Sequence, residues 1–450
     1  MHAAHRHDLT HVRVLVAGAG FAGLAAARAL EARGAVVTVV DARDRVGGRV
    51  WTVRDGFLHG QHAEAGADFI ESNQVALLAL VHDLKLRTAP ILRRGFGYYG
   101  TDDRGRLRVQ SLAAGLRAMA KPLDRLIRDY EISERRWDSA IARDMAGRSV
   151  AAWLRNVGAA TSVTRRFRGL RGLFLADPDD LSLLALVDFF ADIGASGWGD
   201  SFRIVGGNDR IATSLARQLH GPVHLQSVLR RVRQDRRHVV ATLDGRSGLA
   251  QLTAEYLVVA LPATTARAVS FTPGLPDLQR DAVSRLRYGS ATRLLVQFAG
   301  RFWIRRGQPN AFGSDQPFGA LWDGNEQQKG RAGILSFLAG GGASRELRDL
   351  LRSDRLDGVL ARIGWLGRPT PVLASRAIVW EDDVWAKGGY AFFDPGFDPT
   401  WRDWLARPFG RVVFAGEHTS IRWQGYMNGA VESGLRAAAE VAAMAKVSVR

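Results

Sequence analysis

The feature that most constrains the fold is an apolar strand that runs into a glycine-rich turn and then into a helix. Val12–Ala17 is a short apolar strand, Phe21–Arg33 has helical spacing of its apolar residues, and Val36–Val40 is a second apolar strand. Strand, helix and strand in this order form the first unit of a parallel sheet with helices on its faces. We therefore predict an α/β fold that opens with a βαβ unit.

Three glycines between the first strand and its helix have the spacing G-x-G-x-x-G, at Gly18, Gly20 and Gly23. The first permits a tight turn, the second lets the backbone approach a pyrophosphate, and the third lets the helix pack closely on the strand. The helix that begins near Phe21 points its N-terminal amides at that phosphate. Asp41 ends the second strand, where a carboxylate accepts hydrogen bonds from ribose hydroxyls. The pattern predicts a dinucleotide site.

The composition excludes several classes of protein. Lys and Arg total 62 against 45 Asp and Glu, a net charge of +17, and only five of the 62 are Lys. These basic residues are spread along the chain and interleaved with acids, so we expect a solvated surface and no nucleic-acid partner. Cys is absent from the sequence, which excludes disulfides, thiolate metal sites and a cysteine nucleophile. Hydrophobic residues make up 46%, enough for a sizeable core.

The start of the chain has neither a targeting pattern nor a membrane span. Residues 1–11 form a polar, histidine-rich tail without the apolar core of a signal peptide. His7 and His11 have a spacing that suits a metal on a helix, but no helical pattern surrounds them, so we expect no metal site. The apolar run from Val12 to Leu30 is broken by glycines and fits a strand, turn and helix better. We expect a cytoplasmic protein without a membrane partner.

Features of a dinucleotide-binding domain recur in the middle and at the end of the chain. Tyr256–Leu261 and Arg411–Ala415 are further strands, Gly425–Met444 is a long helix, and residues 75–200 are mostly helical in pattern. One domain assembled from separated segments, with a second domain inserted, explains this order. We predict a tail of residues 1–11, a dinucleotide-binding domain of residues 12–75, 205–275 and 400–450, and a substrate-binding domain of residues 76–204 and 276–399.

Four further motifs carry a family resemblance. They are ARDRVGGR at residues 42–49, EAGADFI at 64–70, VVALP at 258–262 and RVVFAGEHTSIRWQGYMNGAVESGLRAA at 411–438. The chain resembles the flavin-containing amine oxidases, whose R-x-G-G-R motif and C-terminal signature match the first and last of these. Asp41 stands where the family usually has Glu. The resemblance implies a two-domain α/β fold, with a discontinuous, Rossmann-like FAD-binding domain and a substrate domain of mixed sheet and helices.

The resemblance also implies which residues hold FAD. Arg49 matches an arginine that contacts FAD, Val228 matches the residue whose backbone contacts adenine, and a helix starting near Met427 directs its amides at the flavin ring. Gly389 falls where monoamine oxidases carry the cysteine that links the flavin, so FAD is expected to be non-covalent. The implied cofactor-binding residues are Gly18, Gly20, Phe21, Ala22, Gly23, Asp41, Ala42, Arg43, Gly48, Arg49, Ala67, Asp68, Val228, Gly416, Glu417, Gly425, Tyr426, Met427 and Ala430.

On the substrate side, the family holds the amine between two aromatic rings that stand perpendicular to the flavin. Tyr390 and Tyr426 match those two positions, and Trp423 is expected to line the same wall. Glu64 matches an acid that lies near the reacting amine in several relatives, where it would position a cationic amine or take up a proton. The alternative for Glu64 is a structural acid bonded to backbone amides.

Arg293 is the clearest departure from the family. The family normally has Lys at this position, where it holds a water against flavin N5, whereas Arg is always charged and presents a planar fork. Arg293 is therefore expected either to hold a water or to bind a carboxylate or carbonyl of the substrate. Relatives that oxidise L-amino acids typically carry an Arg a few residues after the E-x-G segment. Phe69 lies at that place here, which argues against that branch.

The resemblance implies the reaction as well. A hydride passes from the carbon that bears the amine to flavin N5, water hydrolyses the resulting imine to a carbonyl, and O₂ takes the electrons to give H₂O₂. The partners implied are a small-molecule amine and O₂, with a homodimer left open. Two alternatives remain: dehydrogenation of an amide or C–C bond in a biosynthetic intermediate, and a flavoprotein that is not catalytic.

Overall fold

The first layer of the fold is a five-stranded parallel sheet built from distant parts of the chain. The computed structural model describes residues 9–102, 104, 106–111, 121–196, 200–246 and 248–448, so most of the polar tail lies outside the described residues. The central strand Arg13–Ala17 pairs with Val36–Val40 on one side and with Tyr256–Val259 on the other. Val223–His224 and Val412–Phe414 form the two edges.

Both faces of this sheet are buried, which explains why its strands are continuous apolar runs. On one face, the helices Phe21–Glu31 and Met427–Ser448 share a core with Val14 and Val16. The two helices approach so closely at Gly434 that a Cβ there would lie 2.2 Å from the carbonyl oxygen of Ala22. The close approach therefore requires glycine at this point.

The opposite face of the sheet is covered by a second, four-stranded sheet. Leu15 and Ala17 project to this side and share a core with Val232 and Ala241. The covering sheet has the strand order Gly248–Ala254, Val239–Gly245, Val228–Gln234 and Ser270–Thr272. Its strand Val228–Gln234 comes next in the chain after the edge strand Val223–His224 of the parallel sheet. Val228 therefore lies near the carboxyl end of that edge strand.

A seven-stranded mixed sheet is the largest sheet outside these two layers. All of its pairings are antiparallel except that of Ala311–Ser314 with Phe96–Thr101. Its strand order is Val372–Val379, Ala291–Phe298, Gly333–Gly340, Ala320–Asp323, Ala311–Ser314, Phe96–Thr101 and Leu107–Ser111. The described part of the chain also contains three small sheets: Thr52–Val53 with Ala63–Glu64, Arg287–Tyr288 with Ala391–Phe392, and Ile70–Glu71, Ser201–Ile204 and Thr88–Ile91 in that order.

A group of short helices between residues 124 and 196 packs around its own core, which includes Tyr130, Trp153, Phe167 and Val187. Ser139 and Ser149 cap two of these helices, each accepting a hydrogen bond from the backbone N–H three residues later. Within the described residues, the α-helices are Phe21–Glu31, Val75–Asp83, Asp124–Ile132, Ala140–Ala146, Val150–Asn156, Thr161–Arg168, Arg171–Phe174, Leu183–Ser196, Arg210–Gln218, Ala263–Ala266, Asp277–Arg285, Gly342–Ser353, Asp357–Arg362 and Met427–Ser448.

The prediction of a mostly helical stretch over residues 75–200 was wrong in part, since Thr88–Ile91, Phe96–Thr101 and Leu107–Ser111 are strands. The strand Phe96–Thr101 combines three aromatic residues with two glycines, which suits a strand packed closely against a neighbour. A Cβ on Gly97 would lie 2.7 Å from the Phe312 ring, so glycine is what lets these two strands approach each other.

The two large sheets draw on different parts of the chain. The parallel sheet uses strands from the segments that we assigned to cofactor binding, and the seven-stranded sheet uses only residues 96–111 and 291–379. The three-stranded sheet joins Ile70–Glu71 to strands of the other predicted domain. The domain boundaries therefore stay a prediction. Over the described ranges, no helix is both long and apolar enough to cross a membrane.

Candidate active site

One cavity of about 640 Å³ collects residues from the start, the middle and the end of the chain. Of the cofactor-binding residues implied by the sequence, all except Gly23 line it. The cavity runs from the carboxyl ends of the parallel strands towards the mixed sheet. In a parallel α/β sheet, that edge is where ligands bind.

The glycine turn forms the first wall of the cavity. Gly18 has a φ of +110°, and a Cβ there would lie 2.7 Å from the carbonyl oxygen of Ala260. A Cβ on Gly23 would lie 1.8 Å from the carbonyl oxygen of Gly18, so Gly23 serves the packing of helix on strand without lining the cavity.

Gly20 and Gly48 face each other and leave open backbone at the N-terminus of the helix Phe21–Glu31. No side chain caps that helix, so its first amides are available to an anion.

Asp41 lies at the next position along the cavity and is bound from two sides. Its Oδ2 accepts a hydrogen bond of 2.6 Å from the backbone N–H of Ala19, and its Oδ1 accepts one of 2.8 Å from that of Arg43. Burial raises the pKa of Asp41, against the opposing effect of these two donors. The carboxylate retains free lone pairs that can accept hydrogen bonds from hydroxyl groups in the cavity. The backbone of Asp41 accepts from Ser227, which places Val228 alongside.

The side chain of Arg43 forms a contact that the sequence did not indicate. Its two terminal nitrogens donate to the carboxylate of Asp383 at 2.6 and 2.8 Å, in the bidentate geometry typical of arginine. Both side chains are largely buried. Asp383 begins a loop whose residues Val384, Trp385 and Lys387 line the cavity. The ion pair thereby fastens this loop over the dinucleotide end of the cavity.

Arg49 and Glu417 form a second ion pair, 2.7 Å long, deeper in the cavity. Arg49 also donates to the carbonyl oxygen of Gly389 at 2.8 Å, and Glu417 accepts from the backbone N–H of Gly425 at 2.8 Å. Burial acts to raise the pKa of Glu417, but the charges of Arg49 and His418 and the hydrogen bonds from Arg49 and Gly425 together outweigh burial, and the pKa lies below its ordinary value. The pair joins three segments that are distant in sequence.

The two tyrosines implied as the amine-binding pair lie on those joined segments. Tyr390 follows Gly389, and Tyr426 follows Gly425, whose φ of +82° is not helical; the long C-terminal helix begins two residues later, at Met427. A Cβ on Gly425 would lie 3.2 Å from the Tyr390 ring, so the two segments are in contact. The rings of Trp423 and Tyr426 meet edge to face at 5.4 Å. All three aromatic residues line the cavity.

Arg293 reaches the cavity from the mixed sheet and is 4% exposed. Its Nη2 donates to the carbonyl oxygen of Gly66 at 2.8 Å and its Nη1 to Oγ of Ser336 at 3.2 Å. The guanidinium lies over the ring of Trp322, 4.6 Å from its centroid. Burial lowers the pKa of Arg293, although an arginine remains charged.

Glu64 does not line the cavity. Its Oε2 accepts a hydrogen bond of 2.8 Å from the Thr52 hydroxyl, and its Oε1 accepts one of 3.0 Å from the backbone N–H of Asn208. Burial raises the pKa of Glu64 to about 8, and the charge of Asp68 adds to the effect. These contacts match the structural alternative considered for this residue.

The cavity continues into a chamber with an apolar wall that sequence motifs did not identify. Most of this wall comes from the helices between residues 161 and 196 and from the strands of the mixed sheet, including Phe96, Leu173, Phe174, Phe189, Phe312 and Trp322. In the sequence these residues look like ordinary core residues, because the spacing of apolar residues is the same in a cavity wall as in a core. Only their position beside the tyrosines distinguishes them.

The features of the cavity fit FAD. The open backbone at Gly20 and Gly48 suits a pyrophosphate, Asp41 suits a ribose, and the helix beginning at Met427 offers free amides at the tyrosine end. Gly389 has no side chain that could form a covalent bond to a cofactor, and the sequence has no cysteine. Fold and site together define a flavin-dependent oxidoreductase.

Comparison with known proteins identifies the family. Residues 21–442 match the model of the flavin-containing amine oxidoreductases. A protein of Mycobacterium tuberculosis whose name assigns it to the flavin-containing monoamine oxidases, AofH, is 31% identical over 96% of this chain and 97% of its own length. Human flavin-containing amine oxidase B is 26% identical over 96% of this chain and 87% of its own length.

Two solved structures have the same fold. Cyclohexylamine oxidase from Brevibacterium oxydans superposes with a TM-score of 0.84, at 26% identity, over 97% of this chain and all of that one. Putrescine oxidase superposes with a TM-score of 0.83 at 22% identity over the same share of this chain. The chain therefore belongs to the flavin-containing amine oxidoreductase family, and it is an FAD-dependent oxidoreductase.

Proposed function

We propose that the protein oxidises the C–N bond of a hydrophobic amine to an imine, which water hydrolyses to a carbonyl compound. The observation that carries this proposal is that Tyr390 and Tyr426 line the same cavity as the dinucleotide turn. The chemistry that FAD supplies when bound is the acceptance of a hydride from the amine-bearing carbon at N5 and the transfer of its electrons to O₂, which gives H₂O₂.

The residues of this chain bind and orient the amine. Burial raises the pKa of Tyr390, so its phenol stays neutral and its ring face stays electron-rich. The phenolic hydroxyl of Tyr390 donates to the carbonyl oxygen of Leu173, which fixes the ring. Tyr426 is fixed by its contact with Trp423 and by the glycine before it. Two rings held in this way restrict the amine to a small range of orientations.

The wall of the chamber selects the rest of the substrate and excludes water. Phe174 and Phe189 meet edge to face at 5.0 Å, and Phe69 packs against Trp322 at the same distance. An apolar wall of this kind favours an aryl or alicyclic group over a polar chain. It also strengthens the electrostatic interactions inside the closed site.

We propose the cofactor-binding roles on the same basis. The amides after Gly20 would hold the pyrophosphate, and Asp41 a ribose hydroxyl. Arg49 and Glu417 would act beside the ribityl chain, and the helix that begins at Met427 would stabilise negative charge on the ring.

Anaerobic reduction of the bound flavin tests this function. We expect cyclohexylamine, benzylamine or 2-phenylethylamine to bleach the visible flavin band, and readmission of air to restore it with equimolar H₂O₂. Tyr426→Leu should lower the reduction rate by at least about tenfold through loss of orientation. Asp144→Asn is the matched control, because it removes only an exposed pair with Arg148.

Outcomes that contradict the proposal are also clear. Bleaching by amides or saturated C–C substrates, with no response to any amine, would favour the dehydrogenation alternative. Bound FAD that no candidate substrate reduces would favour a non-catalytic flavoprotein.

A further inference from the structure

Arg293 is a buried cation in the wall of the active-site cavity. Its side chain is 5% exposed, and it lies in a strand, Ala291–Phe298, that is buried along its whole length. Two of its nitrogens bind neutral oxygens, the Gly66 carbonyl and the Ser336 hydroxyl. Its Nε is buried and has no hydrogen-bond partner among the described residues.

The one described carboxylate within 4.0 Å of Arg293 already has other partners. Oδ2 of Asp68 lies 4.0 Å from Nη1 of Arg293, but Asp68 accepts a 2.5 Å hydrogen bond from Nε of Arg203 and a 2.8 Å hydrogen bond from Nε1 of Trp322. Arg203 is itself fully buried. Two buried guanidiniums therefore share a single carboxylate.

Other acids near Arg293 do not balance the excess of positive charge. Glu64 acts electrostatically on Arg293, but burial raises its pKa to about 8, which opposes its ionisation. Glu417 is engaged by Arg49. A buried cation without a counter-charge is unfavourable, and an anion that enters the cavity would relieve it.

Arg293 is also close to the amine-binding end of the cavity. Tyr390 and Arg293 are near enough to act on each other electrostatically. Both residues line the cavity, so a substrate held by its amine beside Tyr390 can extend towards the guanidinium. The planar fork of arginine is well matched to a carboxylate, which can accept from two of its N–H groups together.

We propose that Arg293 determines specificity by binding a carboxylate of the substrate, so that the preferred substrates are hydrophobic amines that also carry a carboxylate. This proposal rests on the amine oxidation proposed above. Arg293, a residue of the mixed sheet, would thus recognise a second functional group of the substrate in a cavity whose other walls are mostly apolar.

Matched substrate pairs and a flavin-perturbing ligand test the proposal. The pairs are benzylamine with 3- and 4-(aminomethyl)benzoate and with phenylglycine, and cyclohexylamine with 4-aminocyclohexanecarboxylate. In the wild type we expect kcat/KM of at least one carboxylate to exceed that of its parent amine by about tenfold or more. In Arg293→Met the ratio of the two kcat/KM values, carboxylate over parent amine, should fall to about one, whatever the change in the turnover of the parent amine itself. Arg293→Lys should keep part of the advantage, because it keeps the charge.

Binding of benzoate, followed by the shift of the visible flavin spectrum, gives a readout that does not need turnover. We expect Arg293→Met to weaken benzoate binding by about tenfold and benzyl alcohol binding hardly at all. Arg166→Met, which changes another arginine of the same cavity, should keep the preference for carboxylates.

Three results would overturn the proposal: parent amines preferred by the wild type, equal losses for both members of each pair in Arg293→Met, or loss of the preference in Arg166→Met. If no amine reduces the flavin but benzoate binds in an Arg293-dependent manner, the proposed function fails while the carboxylate site stands. The two failures are therefore distinguishable.

Discussion

At the residue scale, Glu417 has more partners than its place in a cofactor motif requires. One of its oxygens accepts from Arg49, and the other accepts from the backbone N–H of Gly425. Arg49 in turn donates to the carbonyl oxygen of Gly389. Because Gly389 precedes Tyr390 and Gly425 precedes Tyr426, one ion pair holds the backbone on which both tyrosines stand.

Glu417→Gln keeps the shape of the side chain and removes its charge. Arg49 would then stay buried without a carboxylate, and we expect the free energy of unfolding to fall by on the order of 3 kcal/mol. The affinity for FAD should fall with it. Urea unfolding and FAD titration measure the two effects. Asp144→Asn is the control, since loss of an exposed pair should cost less than about 1 kcal/mol; equal behaviour of the two variants would contradict the structural role of Glu417.

At the scale of elements, the helix Phe21–Glu31 depends on two glycines for different reasons. Gly23 allows the helix to rest on the strand before it, because a Cβ there would be 1.8 Å from the Gly18 carbonyl oxygen. Gly20 has open space around its Cβ position and lines the cavity. One glycine serves the packing of the elements, and the other serves the ligand.

Alanine at Gly23 should therefore lower the stability of the protein, whereas alanine at Gly20 should lower its affinity for FAD. Gly23→Ala forces helix and strand apart, and we expect a loss of about 3 kcal/mol or more in unfolding free energy. Gly20→Ala should change the unfolding free energy of the FAD-free protein by less than about 1 kcal/mol and weaken FAD binding by about tenfold or more. Thermal unfolding with and without FAD measures both. If Gly20→Ala destabilised the FAD-free protein as much as Gly23→Ala, the distinction would be wrong.

Sequence motifs predicted the elements whose chemistry is local. The βαβ unit and the C-terminal helix were foreseen because glycines, an acid and apolar spacing act over a few residues. The strand Phe96–Thr101 pairs locally with Leu107–Ser111, but it joins its sheet through Ala311–Ser314, over two hundred residues further along the chain, and no local pattern indicates that pairing. The partners of Asp68 were missed for the same reason, since Arg203 and Trp322 reach it only through the tertiary fold.

At the scale of the whole molecule, burial of ionisable groups makes stability depend on pH. His418 is 6% exposed, and burial lowers its pKa to about 4 from an ordinary value of 6.5. Between these values the unfolded chain binds a proton that the folded chain does not, so stability falls as pH falls from 6.5 towards 4. Glu64 has the opposite effect on the pH dependence of stability. Its pKa of about 8 lies above the ordinary 4.5, so its contribution to stability is lost as pH rises.

Comparison of the wild type with His418→Gln isolates the first effect, because Glu64 is common to both proteins. We expect the wild type to lose about 3 kcal/mol more than the variant between pH 6.5 and pH 4. Urea unfolding at a series of pH values measures the difference. Parallel stability curves for the two proteins would show that His418 is not buried as a neutral group.

The central claim is that three distant stretches of the chain form one non-covalent FAD site. Its most direct test is the flavin content of purified protein after incubation with FAD, gel filtration and acid precipitation. We expect equimolar FAD to elute with the protein and to remain in the supernatant when the chain precipitates. Protein that elutes without colour, or flavin that stays attached to the precipitate, would contradict it.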